Sequence, residues 1–227
     1  MTSTNFPDGV TNVLEYKAFG QCVIPSPSRV HTFLEDFNTY IASATQWVET
    51  VVGTDTTGVI DGAGGILSIA NDTNDNDHVY AQWVAEICAF VAGKQSWFAT
   101  RFQIDVATES DLFIGLYVTD TDPIGAITDG VYLHKADGST TLNLVVVNGS
   151  TATTTAITTV AADTWYVVGL HYNGSDKIDI YLNDDRVASS VTTNLPPDDL
   201  KPSFAVQNGD AAAVTALIDY IFWVTER

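Results

Sequence analysis

The densest run of oxygen ligands in the chain is Asn71-Asp72-Thr73-Asn74-Asp75-Asn76-Asp77. Asp72, Asn74 and Asn76 alternate as at the start of a helix–loop–helix calcium loop. The sixth position then falls on Asp77, where the turn needs glycine, and the twelfth on Trp83, where a bidentate glutamate is needed. That loop type is excluded. A looser calcium site between strands, built on Asp72, Asp75 and Asp77, stays open beside the plainer reading that aspartate favours turns and solvates loops. The pairs Asp120/Asp122, Asp184/Asp185 and Asp198/Asp199 fit the plainer reading equally well. His31, His78, His134 and His171 follow no ligand spacing, and with Cys22 and Cys88 they are too scattered for structural zinc. Two cysteines imply no disulfide framework, so both are expected as free thiols, and no His–Asp arrangement makes either a nucleophile. Gly62-Ala63-Gly64-Gly65 lacks the lysine and helix of a phosphate cradle and reads as a turn at a strand edge.

Paired carboxylates are the other chemistry to test, because retaining glycoside hydrolysis needs two of them about 5–5.5 Å apart. The chain has only six glutamates, and Glu109-Ser110-Asp111 is the one place where a Glu and an Asp take a catalytic-looking spacing. Asp219 stands in the apolar run Ala216–Val224 and reads as a satisfied acceptor or an edge-facing residue rather than a catalyst.

These residues must be positioned by strands. Two runs rich in β-branched and aromatic residues, Trp165–Tyr172 and Lys177–Asn183, flank the turn Asn173-Gly174-Ser175-Asp176, a hairpin pattern. Further strands are expected near Thr32–Tyr40, Gly65–Ala70, Val79–Val91, Trp97–Val106, Leu112–Thr119, Gly130–Lys135, Thr141–Val147, Pro202–Gln207 and Ala213–Thr225. Phe98, Phe102 and Ile104 alternate with Arg101, Gln103 and Asp105, while Leu112, Ile114, Leu116 and Val118 share a face. This period of two marks half-buried strands. In Val79–Val91 the all-apolar set places Trp83 in the core and Cys88 on the opposite side. Helical signal is poor, with a short turn within Phe33–Thr50 as its best candidate, and the Thr/Ala-rich stretch 149–160 reads as a long hairpin or an edge strand.

The 227 residues suit one large all-β domain with an extension, and 45% hydrophobic residues make it globular. A net charge of −19 offers few cations to replace phosphate counterions, which argues against nucleic acid and anionic membranes as partners. The N-terminus lacks the basic start and apolar core of a secretory signal. Residues 1–30 differ from the rest: Pro25-Ser26-Pro27-Ser28 breaks the chain before a domain spanning 31–227. The arm carries Phe6, Pro7, Val10, Val13, Leu14, Tyr16 and Phe19, too apolar to stay solvated, and is expected to dock on its own domain or a neighbour.

Trp97–Phe102, Ser110–Leu116, Asp129–Leu133, the hairpin Asp163–Asn183 and the closing Ile218–Ile221 together resemble the concanavalin A-like lectin/glucanase jelly roll, of the laminin-G or pentraxin kind. The resemblance implies an all-β, two-sheet antiparallel jelly-roll sandwich with an N-terminal extended arm, in which the last strand returns beside the first. Enzymes of that type carry Glu-x-Asp-x-x-Glu on one strand. Here Glu109 and Asp111 begin the motif, but Ile114 stands at its last position, so no enzymatic activity is expected. Sugar sites on such folds use exposed aromatics and polar loop groups. The candidates are Trp47, Trp83, Trp97, Trp165, Trp223 and Tyr132, with Tyr132, Asp120 and Asp122 as the favoured glycan set; Trp165 and Trp223 sit mid-strand.

The opening Thr4–Asn12 is in turn similar to the N-termini of tailed-bacteriophage structural proteins. That likeness implies a virion structural protein, a capsid decoration protein whose arm docks on the major capsid protein lattice and whose sandwich faces outwards. Its partners would be that lattice and copies of itself, as a homo-oligomer and by context a trimer, and its place the capsid exterior after synthesis in the host cytoplasm. No cofactor is expected apart from the calcium option. The alternative is a carbohydrate-binding or adhesion module without catalysis.

Overall fold

The computed structural model describes residues 26–227. The arm residues Phe6, Pro7, Val10, Val13, Leu14, Tyr16 and Phe19, and Cys22 with them, lie outside the described residues. In chain order the strands are β1 (Val30–Glu35), β2 (Trp47–Val52), β3 (Asp55–Ile60), β4 (Ile66–Asn71), β5 (His78–Trp83), β6 (Ser96–Ile104), β7 (Ser110–Tyr117) and β8 (Gly130–Lys135). They continue with β9 (Thr141–Asn148), β10 (Thr151–Thr159), β11 (Tyr166–Tyr172), β12 (Lys177–Leu182), β13 (Asp185–Val191), β14 (Lys201–Asn208) and β15 (Thr215–Glu226). An eight-stranded sheet runs β13-β12-β11-β6-β15-β4-β3, with β1 also on β15, and a seven-stranded sheet runs β10-β9-β8-β7-β14-β5-β2. Every pairing between these strands is antiparallel, and among the described residues there is no helix.

The alternation read from sequence builds the core. Phe98, Phe102 and Ile104 of β6 meet Leu112, Ile114 and Leu116 of β7 in one continuous apolar layer between the sheets, completed by Phe204, Val206 and Trp223. The long last strand β15 pairs with β4 through Thr215–Ile218 and with β1 through Ile221–Glu226, so the last strand does return beside the first. Its register against β6 slips between Ile218 and Tyr220, which leaves Asp219 as the extra residue of a bulge. Gly174 takes φ +80° in the β11–β12 hairpin, where Asn173 Oδ1 accepts the N–H groups of Ser175, Asp176 and Lys177.

Several expectations are corrected. The stretch expected as one strand over Val79–Val91 stops at Trp83, where the Val84 N–H turns aside to Gln46 O at 2.8 Å. Pairing resumes only as a bridge between Cys88 and Leu200. The bend resets the alternation, so Cys88 is fully buried in the main core while Val84, Ile87 and Val91 are 40–46% exposed. Cys88 is a free thiol, and burial pushes its pKa well above the usual range. β1 ends at Glu35, and Phe33–Thr50 holds no helical turn but an irregular connection into β2. Strands β2, β3 and β13 carry no clean alternation and were not expected; all are sheet-edge strands whose residues are mostly exposed or half-buried, with Trp47 of β2 buried in the core. The Thr/Ala stretch is the edge strand β10.

Candidate functional site

The non-core phase of each strand builds two outer faces, and their registers place side chains in rows. On the seven-stranded sheet one row reads Asn143, His134, Phe113, Ala205, Tyr80 and Thr50. The next reads Val145, Tyr132, Gly115, Ser203, Gln82 and Val48. His134 stacks on Phe113 at 4.2 Å between ring centres, and Tyr132 and Tyr117 meet edge-on at 6.0 Å. This aromatic surface is covered. The connection 118–129 folds back over it, Ile124 and Ile127 pack on the cluster, and Tyr80, Phe113 and Tyr132 are left only 5–7% exposed. Tyr80 Oη donates to Thr121 O, Gln82 Nε2 donates to Val118 O at 3.1 Å, and Gln82 Oε1 accepts the Asp120 N–H at 3.0 Å.

The sequence-favoured glycan set is therefore brought to one region but not presented to solvent. Tyr132 lies under the connection, and its burial pushes its pKa up to about 12. Asp120 Oδ1 accepts the Asp122 N–H, and Asp122 Oδ1 accepts the Gly125 N–H, so both carboxylates fix the turn that forms the cover. At the far end of β7, Asp111 lies on the outer face, where its Oδ1 takes His134 Nε2 at 3.3 Å and the Asp137 N–H at 2.9 Å. Ile114 faces the core and is fully buried. Beside Asp111, Lys135 is buried with its Nζ on the carbonyls of Thr108 and Ser110, and desolvation brings its pKa down to about 8.

The Asp-rich loop is organised by asparagines rather than by convergent carboxylates. Asn71 Nδ2 reaches the carbonyls of Asp77 and Val206, and Asn208 Nδ2 reaches those of Asp72 and Asn74. Both asparagines are buried on the inner faces at one end of the sandwich and clasp the loop across the two sheets. Asp72 caps the Thr73 N–H, Asp77 is buried and accepts Asn74 Nδ2, and Asp75 is exposed. Among the described residues, no group of three or more His, Cys, Asp or Glu side chains is placed to hold a metal ion.

The eight-stranded sheet presents a different outer face. One row reads Leu34, Phe222, Ala99, Gly169, Tyr181 and Arg186; a second reads Thr32, Val224, Trp97, His171, Asp179 and Ser189; a third joins Tyr220, Arg101 and Val167. Ala99 and Gly169 form a floor of two small residues. Strand spacing sets Phe222 and Tyr181 about 14 Å apart across it, and strand rise sets Trp97 and Arg101 about 13 Å apart along it. A methyl group on Gly169 would touch nothing nearer than Tyr181 Cβ, at 3.6 Å, so the floor is open. A glycine in a strand interior marks a bulge, a bend or a close approach of a ligand or another backbone, and the register runs through Gly169 without a shift.

The walls of this basin are half-exposed aromatics held in place by polar partners. Trp97 and His171 stack at 4.9 Å with 8° between their planes, and Trp97 and Phe222 rest on the buried Val30 and Val224. His171 Nε2–H donates to Gln95 Oε1 at 2.8 Å, which fixes the ring, and burial lowers its pKa. Opposite, Arg101 lies 4.1 Å over the Trp165 ring and pairs with the bulge residue Asp219 at 2.5 Å. Asp219 is thus a satisfied acceptor, as its sequence context suggested. Asp179 joins Lys177 at 3.1 Å and Arg186 at 2.6 Å on the Tyr181 side. Of the sequence candidates, Trp97 and Trp165 belong to this basin, Trp47 and Trp223 are fully buried, and Trp83 packs against the core. Sequence reasoning missed His171, Tyr181, Phe222 and the small floor. The signal was present in the hairpin, as the non-core phase Val167, Gly169, His171.

Two carboxylates with raised pKa values lie elsewhere, where burial favours their neutral forms. Glu35 takes the Phe37 N–H and Trp47 Nε1, and Glu49 takes Tyr40 Oη at 2.9 Å, so both anchor the connection between β1 and β2.

No family model and no curated protein matches the chain. Solved structures do. A protein of unknown function from Shewanella oneidensis MR-1 superposes with a TM-score of 0.61 at 17% identity, over 89% of this chain and 95% of its own. The endo-1,3-beta-glucanase from Streptomyces sioyaensis gives 0.60 at 12% identity, over 89% and 99%. Peanut lectin gives 0.56 at 13% identity, over 86% and 97%. At such identities the likeness speaks for the fold: the chain is a concanavalin A-like two-sheet jelly roll, an architecture shared by lectins and glucanases.

Proposed function

We propose that the chain is a carbohydrate-binding module that holds sugar in the open basin of the eight-stranded sheet and does not hydrolyse it. The observation that carries this reading is the basin itself: a floor of Ala99 and Gly169 walled by Trp97, His171, Phe222, Tyr181 and the Trp165–Arg101 pair. A pyranose has an apolar C–H face and a polar rim. Half-exposed aromatics match the face, and Arg101, Arg186, Asp179 and Gln95 match the rim. Sugar-binding proteins and enzymes share this architecture, and the structural neighbours include both a lectin and a glucanase. The non-catalytic half of the reading rests on β7, whose third carboxylate position is the core residue Ile114. A glycan array followed by calorimetry tests the binding half; the expected result is a saturable hit that Trp97→Ala weakens. Release of reducing ends from laminarin or agarose would overturn the non-catalytic half. The virion-surface role expected from the arm at residues 1–30 gains no support from these neighbours; co-sedimentation with assembled capsids checks it.

A further inference from the structure

The chain has nine lysines and arginines against 28 acidic residues, and eight of the nine are described. Arg101, Lys177 and Arg186 are in ion pairs, Lys135 sits on backbone carbonyls, and Lys201 is buried near Glu86. The remaining three, Arg29, Lys94 and Arg227, all line one cleft of about 510 Å³, together with Ser28, Gly93 and Glu226. Three distant points of the sequence are brought there by the β1–β15 pairing and by the Gly93 N–H, which donates to Gly174 O at 2.7 Å.

The cleft is built rather than incidental. Arg227 Nε donates to the carbonyls of Pro27 at 2.7 Å and Val30 at 3.1 Å, which holds its guanidinium in place. Glu226, the one carboxylate side chain in the lining, is engaged by the Gln95 N–H at 2.8 Å. Even with an α-carboxylate on Arg227, the lining stays net positive, on a molecule whose formal charge is −19. The side chains of Arg29 and Lys94 meet no acceptor among the described residues. The cleft also adjoins the basin: Lys94 and Gln95 lead directly into β6, Gln95 bonds His171, and Lys94 precedes Trp97 by three residues.

We propose that this cleft receives the oxyanion, a carboxylate or a sulfate ester, of an acidic saccharide whose ring lies in the adjoining basin. The proposal rests on the sugar-binding reading above and names its ligand class. The overall negative charge repels an acidic ligand everywhere else, so the cleft selects both the ligand and its orientation. Arg29, Arg227 and Lys94 would meet the oxyanion at the mouth, and Trp97 with His171 would meet the ring.

Calorimetry on the full chain tests this with three probes: an oligouronate from alginate, a sulfated oligosaccharide from carrageenan, and a neutral β-1,3-gluco-oligosaccharide. The double variant Arg29→Gln/Lys94→Gln removes the exposed Arg29 cation and the half-buried Lys94 cation while keeping polar side chains of similar length, and its melting temperature is checked against the parent's. The expected result is tighter binding of one acidic probe than of the neutral one, with an about tenfold loss for that probe in the double variant and no change for the neutral one. Which acidic probe responds tells carboxylate from sulfate. Binding of the acidic probe that is indifferent to the double variant overturns the cleft. Binding of the neutral probe alone overturns the acidic ligand and leaves the sugar-binding reading standing. Binding of none of the three overturns both.

Discussion

The two outer faces of the sandwich have nearly the same ingredients and opposite availability. Each has aromatics on alternate positions, a histidine stacked on a larger ring, and a glycine near the middle. On the seven-stranded sheet Phe113, Tyr132 and Tyr80 are shut beneath residues 118–129 and serve as a second small core. On the eight-stranded sheet Trp97, Tyr181 and Phe222 stay half-exposed over a floor of Ala99 and Gly169. The difference is the connection: residues 118–129 fold back across one face, while the aromatics of the other stay half-exposed.

The largest expected effect is on the covered face. Phe113→Ala deletes a side chain that is 5% exposed, stacked on His134 and tilted against Tyr132. It should destabilise the fold by about 3 kcal/mol in denaturant titration while leaving sugar affinity in the basin unchanged. Trp97→Ala should do the reverse, weakening sugar binding by about tenfold or more with a smaller stability loss of roughly 1 kcal/mol. Equal stability losses in the two variants would mean that the basin is a packed surface like its counterpart.

The two central glycines sharpen the contrast. At Gly115 a methyl group would drive into the backbone of Val131 and Tyr132, so Gly115→Ala should cost about 1–3 kcal/mol. At Gly169 the same group meets only ordinary van der Waals contact with Tyr181 Cβ at 3.6 Å, so Gly169→Ala should stabilise the strand by a few tenths to about 1 kcal/mol while raising the basin floor and weakening binding. A destabilised Gly169→Ala would show that the basin is narrower than the register implies.

How much of this was legible in the sequence follows the range of the interactions involved. Period-two alternation is local, and it placed Phe98, Phe102 and Ile104 opposite Arg101 and Gln103, put Ile114 in the core, and bounded β8 at Gly130 and Lys135. It failed at Cys88, because a bend anchored on Gln46, far back in the chain, shifted the phase. It also could not tell the open face from the covered one. The cover is held by Tyr80 to Thr121 and Gln82 to Val118, pairs separated by 41 and 36 residues, and nothing local in 118–129 says where that segment will lie. The basic cleft is more distant still, joining residues 29, 94 and 227.

The smallest effect concerns His171, whose pKa is lowered by burial even though it sits on the open face. Between that lowered value and the ordinary value of about 6.5, the unfolded chain binds more protons than the folded one, so stability contributed by the neutral ring is complete above 6.5 and lost as pH falls. Glu35 and Glu49, raised by burial, act with the opposite sign: the folded chain holds their protons more tightly, and their neutral forms favour the fold as pH drops towards 4.5. The bulk pH profile therefore mixes the two trends, and a single variant must separate them. His171→Phe keeps a flat ring against Trp97 and removes the titration; loss of the Gln95 bond adds only a pH-independent offset. The melting temperature of His171→Phe relative to the parent should rise as pH falls from about 7.5 to 5.5, because only the parent must bury a charge there. A constant gap over that range would mean that the imidazole is as well hydrated as in water. The Trp97–His171 wall would then be looser than its 4.9 Å stacking shows, and the basin would lose its rigid side.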